Sequence, residues 1–277
     1  MSLAYWNREA ETKSRSQLER DQLEDLKRTV ERALRTPFYK KRLTEIGLAS
    51  ARDISSLEDL KKIPFTTKDD LRSAYPYGML AVDPEEVVRI HVSSGTTGIP
   101  TVIYHTQGDI DAWTELSARS VVATGSGRQD VFQNMMTYGL FTGGLGLHYG
   151  AEKVGMMVIP ASSGNTKRQF KLMKDFGTTV VHATPSYLLH LYSRLEEEEI
   201  GLHELSLRKA YVGAEPHSEN IRRKLEELFG IDVYNSYGLS EMNGPGVAFE
   251  CTVKDGMHVW EDHYIMEVVD EHSLELV

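Results

Sequence analysis

A single cysteine, Cys251, stands in the 277 residues. One thiol excludes an internal disulfide framework, and it suits a reducing compartment. Long hydrophobic runs are missing too: no stretch approaches the roughly 20 apolar residues of a membrane span. The opening MSLAYWNREAETKSRS has no apolar core of the secretory kind. Basic residues are in deficit, 31 against 41 acidic ones, for a net charge of -10. An acidic surface repels phosphate backbones and anionic lipids, so nucleic acid and membrane are disfavoured as general partners. The expectation is a cytoplasmic protein with a core of ordinary size, the apolar share being 40%.

The first 85 residues read as a helical segment packing on a core. Leu18, Leu23, Leu26, Val30 and Ala33–Leu34 keep helical spacing from Gln17 to Arg35, and Pro37 ends the pattern. Residues 53–75 suggest short helices, one of them capped at Thr66-Thr67. From residue 86 to 277 the texture alternates between strands and helices. Strand-like runs fall at Val87–Val92, Thr101–His105, Val131–Met135, Met156–Pro160, Thr178–Ala183, Lys209–Val212 and Ile231–Asn235, and a helical pattern covers 107–123. Another helix is expected between Ser218 as N-cap and Gly230 past its end. Val259–Trp260, Ile265–Val269 and Leu274–Val277 read as further extended runs, with a turn at Asp270–Ser273. The fold class expected is α/β, layered sheets flanked by helices. Glu196–Glu199 reads as a solvated helix end.

Three segments carry chemistry. In Ser93-Ser94-Gly95-Thr96-Thr97-Gly98-Ile99-Pro100, two glycines free the backbone and hydroxyls add donors, which suits phosphate oxygens. It is not a Walker A loop, because it lacks Gly-Lys-Ser/Thr and enters a strand. A Ser/Thr/Gly hairpin turn has the same composition, and composition alone does not decide. Tyr211-Val212-Gly213-Ala214-Glu215-Pro216 runs from strand to turn, with small residues against which a flat ring can lie; many crossovers look alike. In Tyr234-Asn235-Ser236-Tyr237-Gly238-Leu239-Ser240-Glu241, a strand is expected to end in a turn at Gly238. The carboxylate beyond could hold magnesium, although alone a turn with a surface glutamate is the simpler reading.

Taken together, in this order, the three segments resemble the adenylate-forming superfamily, and more closely phenylacetate–coenzyme A ligases. Arg89-Ile90-His91, Thr137-Tyr138-Gly139-Leu140-Phe141-Thr142-Gly143-Gly144, Gly244-Pro245-Gly246-Val247 through Glu250-Cys251, and Trp260-Glu261-Asp262-His263 look like that family as well. The resemblance spans nearly the whole chain and implies an AMP-binding domain over 86–277. It implies ATP, magnesium and coenzyme A as co-reactants and an aryl carboxylic acid as substrate. Ser93, Ser94, Gly95, Thr96, Thr97 and Gly98 match the phosphate loop. Gly213, Ala214, Glu215 and Pro216 match the adenine side. Asn235, Ser236, Tyr237 and Gly238 match the nucleotide and acyl wall. Ser240 and Glu241 match the catalytic hydroxyl and the magnesium carboxylate. Tyr138, Phe141 and Gly143 are candidates for the acyl pocket, with core packing as the alternative for the two rings.

Some positions depart from the pattern. The family often has lysine where Ile99 stands. Cys251 and His258 match half of a zinc site whose other half would lie beyond Val277, so zinc is expected only in a longer form. The family's Tyr-Arg-Thr-x-Asp motif and small C-terminal domain are likewise absent from these residues, and low or no turnover is the expectation. A non-catalytic nucleotide- or aryl-acid-binding remnant and a dimerising scaffold are the alternatives, and a homodimer is left open. His91 and His182 are expected to make local hydrogen bonds, and no hydrolytic triad stands out.

Overall fold

The computed structural model describes residues 4–93, 100–273 and 276–277. The phosphate-loop candidates Ser94, Gly95, Thr96, Thr97 and Gly98, and Ile99 after them, lie outside the described residues. The chain divides into two compact units, one of 1–7, 88–93 and 103–258, the other of 8–87, 94–102 and 259–277.

In the second unit, helices α1 (Arg8–Glu11), α2 (Arg15–Ala33), α3 (Pro37–Glu45) and α4 (Lys68–Ser73) follow the capping signals of the sequence. Ser14 and Gln17 form a capping box at α2, and Thr67 with Asp70 does the same at α4. Leu18, Gln22, Leu26 and Val30 recur every four residues and form the buried stripe of α2. Leu26 and Val30 pack with Leu43, Leu48 and Ile54. The buried Gln22 amide donates to the Glu261 carbonyl at 2.8 Å, and Arg15 grips the Glu261 carboxylate by both terminal nitrogens. The Glu261 segment is thereby tied to α2. Ile265–Val269 forms no strand, contrary to expectation: only an isolated bridge joins Val269 to Leu276. Beside it the Val277 N–H donates to the Val268 carbonyl at 3.0 Å, and Met266 and Val268 are more than half exposed.

The first unit is built on a sheet. Strands β1 (Val87–Ser93) and β2 (Thr101–Thr106) pair as a two-stranded ladder, and α5 (Gln107–Ala123) follows, capped by Thr106. Then come β3 (Val131–Asn134), α6 (Leu145–Val154), β4 (Met157–Ile159), α7 (Thr166–Phe176), β5 (Val180–Ala183) and α8 (Pro185–Arg194). β6 (Lys209–Gly213), α9 (Glu219–Phe229), β7 (Asp232–Leu239), β8 (Gly244–Glu250) and β9 (Met257–Val259) complete the order. Seven strands lie in the order β4-β3-β5-β6-β7-β8-β9. The first five run parallel, and β8 turns antiparallel to β7.

Side-chain alternation divides the core in two. Phe132, Val180, Tyr211 and Tyr234 face Val121 of α5 and Leu147 and Ala151 of α6. Val181, Ala183, Val212 and Val233 face Phe170 of α7, Leu188 and Leu191 of α8, and Leu225 of α9. Burial on both faces is why apolar residues stand at consecutive positions, as at Val180-Val181 and Ala210-Tyr211-Val212. From β3 the chain goes through α6 on one face to β4. It then returns through α7 on the other face to β5, on the far side of β3. The crossover changes direction between β3 and β5, and a crevice opens there at the carboxyl ends of the strands.

A candidate nucleotide and acid site

Asn134, the last residue of β3, shapes the crevice. Its amide nitrogen donates to the Gly144 carbonyl at 2.5 Å, while its side-chain oxygen accepts from the Met136 backbone N–H at 3.1 Å. One buried side chain thus closes both ends of segment 136–144. His182 on β5, whose Nδ1 lies 3.2 Å from the same oxygen, orients Asn134. Burial pushes the His182 imidazole down to about 3. It is therefore neutral near pH 7, and its Nδ1–H donates to Asn134.

The crevice holds a cavity of about 490 Å³. Segment 136–144 and the end of β3 supply Met135, Met136, Thr137 and Phe141 to its wall. From the β5 side come Thr184 and Ser186 at the start of α8, with Tyr187 stacked on His190 at 5.9 Å. Ala214, just past β6, closes it. Flat rings, methionines and hydroxyls make a wall with apolar faces and a polar rim.

Of the three acyl-pocket candidates, Phe141 lines this cavity. Gly143 lies behind it: a Cβ there would come within 2.4 Å of the Phe141 ring. Tyr138 faces α6 and is not in the cavity wall. Its hydroxyl is 3.0 Å from His148 Nδ1, and His148 Nε2 is 3.1 Å from Glu152, so hydroxyl, imidazole and carboxylate form one chain. Burial raises the Tyr138 phenol well above its ordinary range, so it stays a donor.

Of the residues matched to the adenine side, Gly213 ends β6 opposite Ser236 of β7. Ala214 sits in the left-handed region at φ +66°, a conformation that costs a residue with a Cβ about 1 kcal/mol or more. Glu215 braces this turn. Its carboxylate accepts from both the N–H and the hydroxyl of Ser186, in the first turn of α8. Pro216 is exposed on the same turn.

β7 runs on through Leu239, so the turn expected at Gly238 is absent. The Asn235 N–H donates to the buried Glu250 carboxylate at 2.7 Å, Ser236 is buried, and Tyr237 is half-exposed. Tyr237 then pairs with Ala248 but Gly238 with Pro245, so Gly246 and Val247 bulge from β8. The bend brings the Gly244 carbonyl within 2.1 Å of where a Gly238 Cβ would stand, which only glycine tolerates. The turn comes two residues later, at Ser240–Met242, and carries Glu241 half-buried. Ser240 is buried with its hydroxyl 3.3 Å from that of Thr142. That contact joins segment 136–144 to the turn that carries Glu241.

Ser93 ends β1, the strand that leads into the phosphate-loop candidates. In the same strand His91 is buried, its Nδ1 3.1 Å from the Leu140 carbonyl, a local hydrogen bond of the expected kind. Cys251 is buried, and its sulfur accepts from the Val253 N–H at 3.4 Å. His258 is exposed on β9. Among the described residues, no group of three or more His, Cys, Asp or Glu side chains is placed to hold a metal. Nor is any described helix long and apolar enough to cross a membrane. Sequence reasoning missed Asn134, Thr142 and Trp113. An amide inside the β-rich run Val131–Met135 was the one available signal.

An α/β sheet with a crevice at a crossover reversal is the frame of a ligand-binding α/β enzyme. The chain belongs to the family of AMP-binding enzymes, which matches it over residues 15–277. It is 49% identical to a phenylacetate–coenzyme A ligase of Pseudomonas putida over 94% of this chain and 60% of that protein. To the corresponding ligase of Thermus thermophilus it is 48% identical, over 95% of this chain and 59% of that one. The chain thus spans about 60% of the length of these relatives. Among solved structures, 2-hydroxyisobutyryl-CoA ligase in complex with 2-HIB-AMP and CoA superposes with a TM-score of 0.91 and 26% identity. That match covers 99% of this chain and 60% of the other.

Proposed function

We propose that this chain carries the nucleotide- and acid-binding part of a ligase that activates an aryl carboxylic acid with ATP and passes the acyl group to coenzyme A. The observation that carries the reading is the cavity itself. About 490 Å³ between Phe141, Met135, Met136 and Tyr187 accommodates a flat aromatic acid. It ends beside Ala214, on the segment that resembles the family's adenine side. The phenylacetate ligases support an aryl acid as substrate, and the CoA ligase in complex with 2-HIB-AMP and CoA supports the acyl-adenylate route without bearing on the ring.

In the first step a carboxylate oxygen of the acid attacks the α-phosphorus of ATP, and the bond to the bridging oxygen breaks to release pyrophosphate. Because the substrate supplies its own anionic nucleophile, no protein base is required. The residues contribute position and charge stabilisation. Ser93 to Gly98 are assigned to the β- and γ-phosphates on sequence resemblance. Ser240 is assigned to the α-phosphate side, with Gly213 to Pro216 and Asn235 to Gly238 lining the nucleotide. Glu241 offers the hard carboxylate oxygen that magnesium prefers, and phosphate oxygens and water would complete its shell. In the second step the thiol sulfur of coenzyme A attacks the acyl carbon, AMP leaves, and the thiol proton passes to solvent.

Calorimetry with ATP·Mg²⁺ and with phenylacetate, beside ATP–pyrophosphate exchange, tests the reading. Binding of both ligands is the expected result; phenylacetate-dependent exchange beside it would show a catalytic domain and contradict the low turnover expected from the sequence. Binding without exchange reduces the role to a binding module. Binding of neither overturns it.

A further inference from the structure

Leu140, Phe141 and Thr142 are consecutive, and each engages a different part of the site. The Leu140 carbonyl accepts two hydrogen bonds from β1, from the Val92 N–H at 2.9 Å and from His91 Nδ1 at 3.1 Å. Phe141 lines the acid cavity. Thr142 is buried against Ser240, the residue before Glu241. Because Asn134 clamps both ends of segment 136–144, a displacement of the Leu140–Thr142 backbone cannot be absorbed at the ends of the loop. It passes to the neighbours on either side.

Beneath this segment the packing is stiff. His91 is buried and edge-on to His105 at 5.3 Å, and His105 stacks on Trp113 at 5.8 Å. The Trp113 indole N–H donates to the Pro245 carbonyl at 2.7 Å, on the strand that pairs with Gly238. The β1 strand and the Glu241 turn are therefore linked twice, through Thr142 and through Trp113. Close-packed interiors transmit displacement where loops dissipate it.

We propose that Leu140–Thr142 couples the acid cavity to the nucleotide, each ligand tightening the other, with His91 and Thr142 as the positioning residues. The inference rests on the ligase reading. His91 holds the carbonyl before the cavity ring, and Thr142 transmits the position of that ring to Ser240. Neither touches the acid.

The test is a binding cycle by calorimetry with phenylacetate and α,β-methylene-ATP·Mg²⁺, whose carbon bridge blocks adenylate formation. Each ligand is titrated into the free protein and into protein saturated with the other. The expected result is tightening of at least about fivefold, equal in both directions because coupling is reciprocal. Thr142→Val and His91→Phe should each bring the factor to about one, whereas Thr142→Ser, which keeps the hydroxyl, should restore it. Either disabling variant decides the matter if the other does not fold. A factor near one in the unmutated chain, or full coupling in a disabling variant, overturns the inference and leaves the ligase reading intact. No binding of either ligand overturns both.

Discussion

Glu215 holds Ser186 by both carboxylate oxygens, Oε1 accepting from the backbone N–H at 2.6 Å and Oε2 from the hydroxyl at 2.9 Å. A left-handed Ala214 is thus tied to the first turn of α8 across the cavity mouth. Glu215→Gln keeps the shape but turns an acceptor into a donor and removes the charge that favours a helix N-terminus. We expect a loss of about 1 kcal/mol, lowering Tm by about 2–4 °C, together with weaker binding of the nucleotide analogue. Thermal melts and calorimetry check it. Unchanged values in both would mean that the brace has no energetic weight.

Gly238→Ala places a methyl group against the backbone of Gly244 and Pro245 on β8, where no flexible side chain can yield. The expected cost is about 3 kcal/mol, by the scale of overpacked interiors. Urea titration should show an earlier unfolding midpoint with an unchanged slope. A variant as stable as the parent would contradict the bulge geometry.

Gly143→Ala should behave differently, because its obstacle is the Phe141 ring, which is 42% exposed and can swing. The ring moves into the cavity. Stability is expected to change by less than about 1 kcal/mol, while affinity for phenylacetate falls about tenfold, the size of a small misfit in an apolar pocket. Equal affinity in the variant would remove Phe141 from the acid wall.

Acid should destabilise the protein in a defined window. Burial, with the neighbouring His91, lowers His105 to about 4, and burial alone lowers His182 to about 3, from 6.5 in the open chain. As pH falls below 6.5, the unfolded chain takes up a proton at each of these two rings that the folded chain refuses, and His91, lowered chiefly by burial, acts in the same sense. Stability is therefore full above 6.5 and is lost on the way down to about 4, at up to about 1.4 kcal/mol per pH unit for each ring. Glu219, held at about 2 by Arg222, adds its own loss only below 4.5. Urea unfolding at pH 7 and pH 5 should differ by about 3–4 kcal/mol, and His105→Phe should halve the difference. An unchanged difference in the variant would mean that His105 titrates normally.

Much of this architecture is legible in the sequence, for reasons that differ by element. The stretches Val131–Met135, Thr178–Ala183 and Lys209–Val212 carry apolar residues for both faces of the sheet because helices cover both, and the first two contain the strand found there while β6 runs one residue further, to Gly213. Ser218 and Gly230 bound α9 as read, since caps are local. The length of β7 is not local. It continues through Asn235–Leu239 because β8, arriving later in the chain, offers it a partner. Ile265–Val269 has the composition of a strand, and among the described residues it gains only the bridge from Val269 to Leu276. In the candidate site, Phe141 was legible as an aromatic beside glycines. The direction of Tyr138 was not, because it depends on His148 one helix later. Thr142 and Ser240 lie 98 residues apart, and no spacing rule joins them.

The single-residue clasp of Asn134 has a consequence for how such a protein can diversify. Its contacts fix the frame at Met136 and Gly144, and with Leu140 and Thr142 held from the side they leave the open tip at Gly139 to vary. Insertions or exchanges near Gly139 could recut the acid pocket while the sheet beneath stays as it is, so preference for one acid over another can drift at little cost to folding.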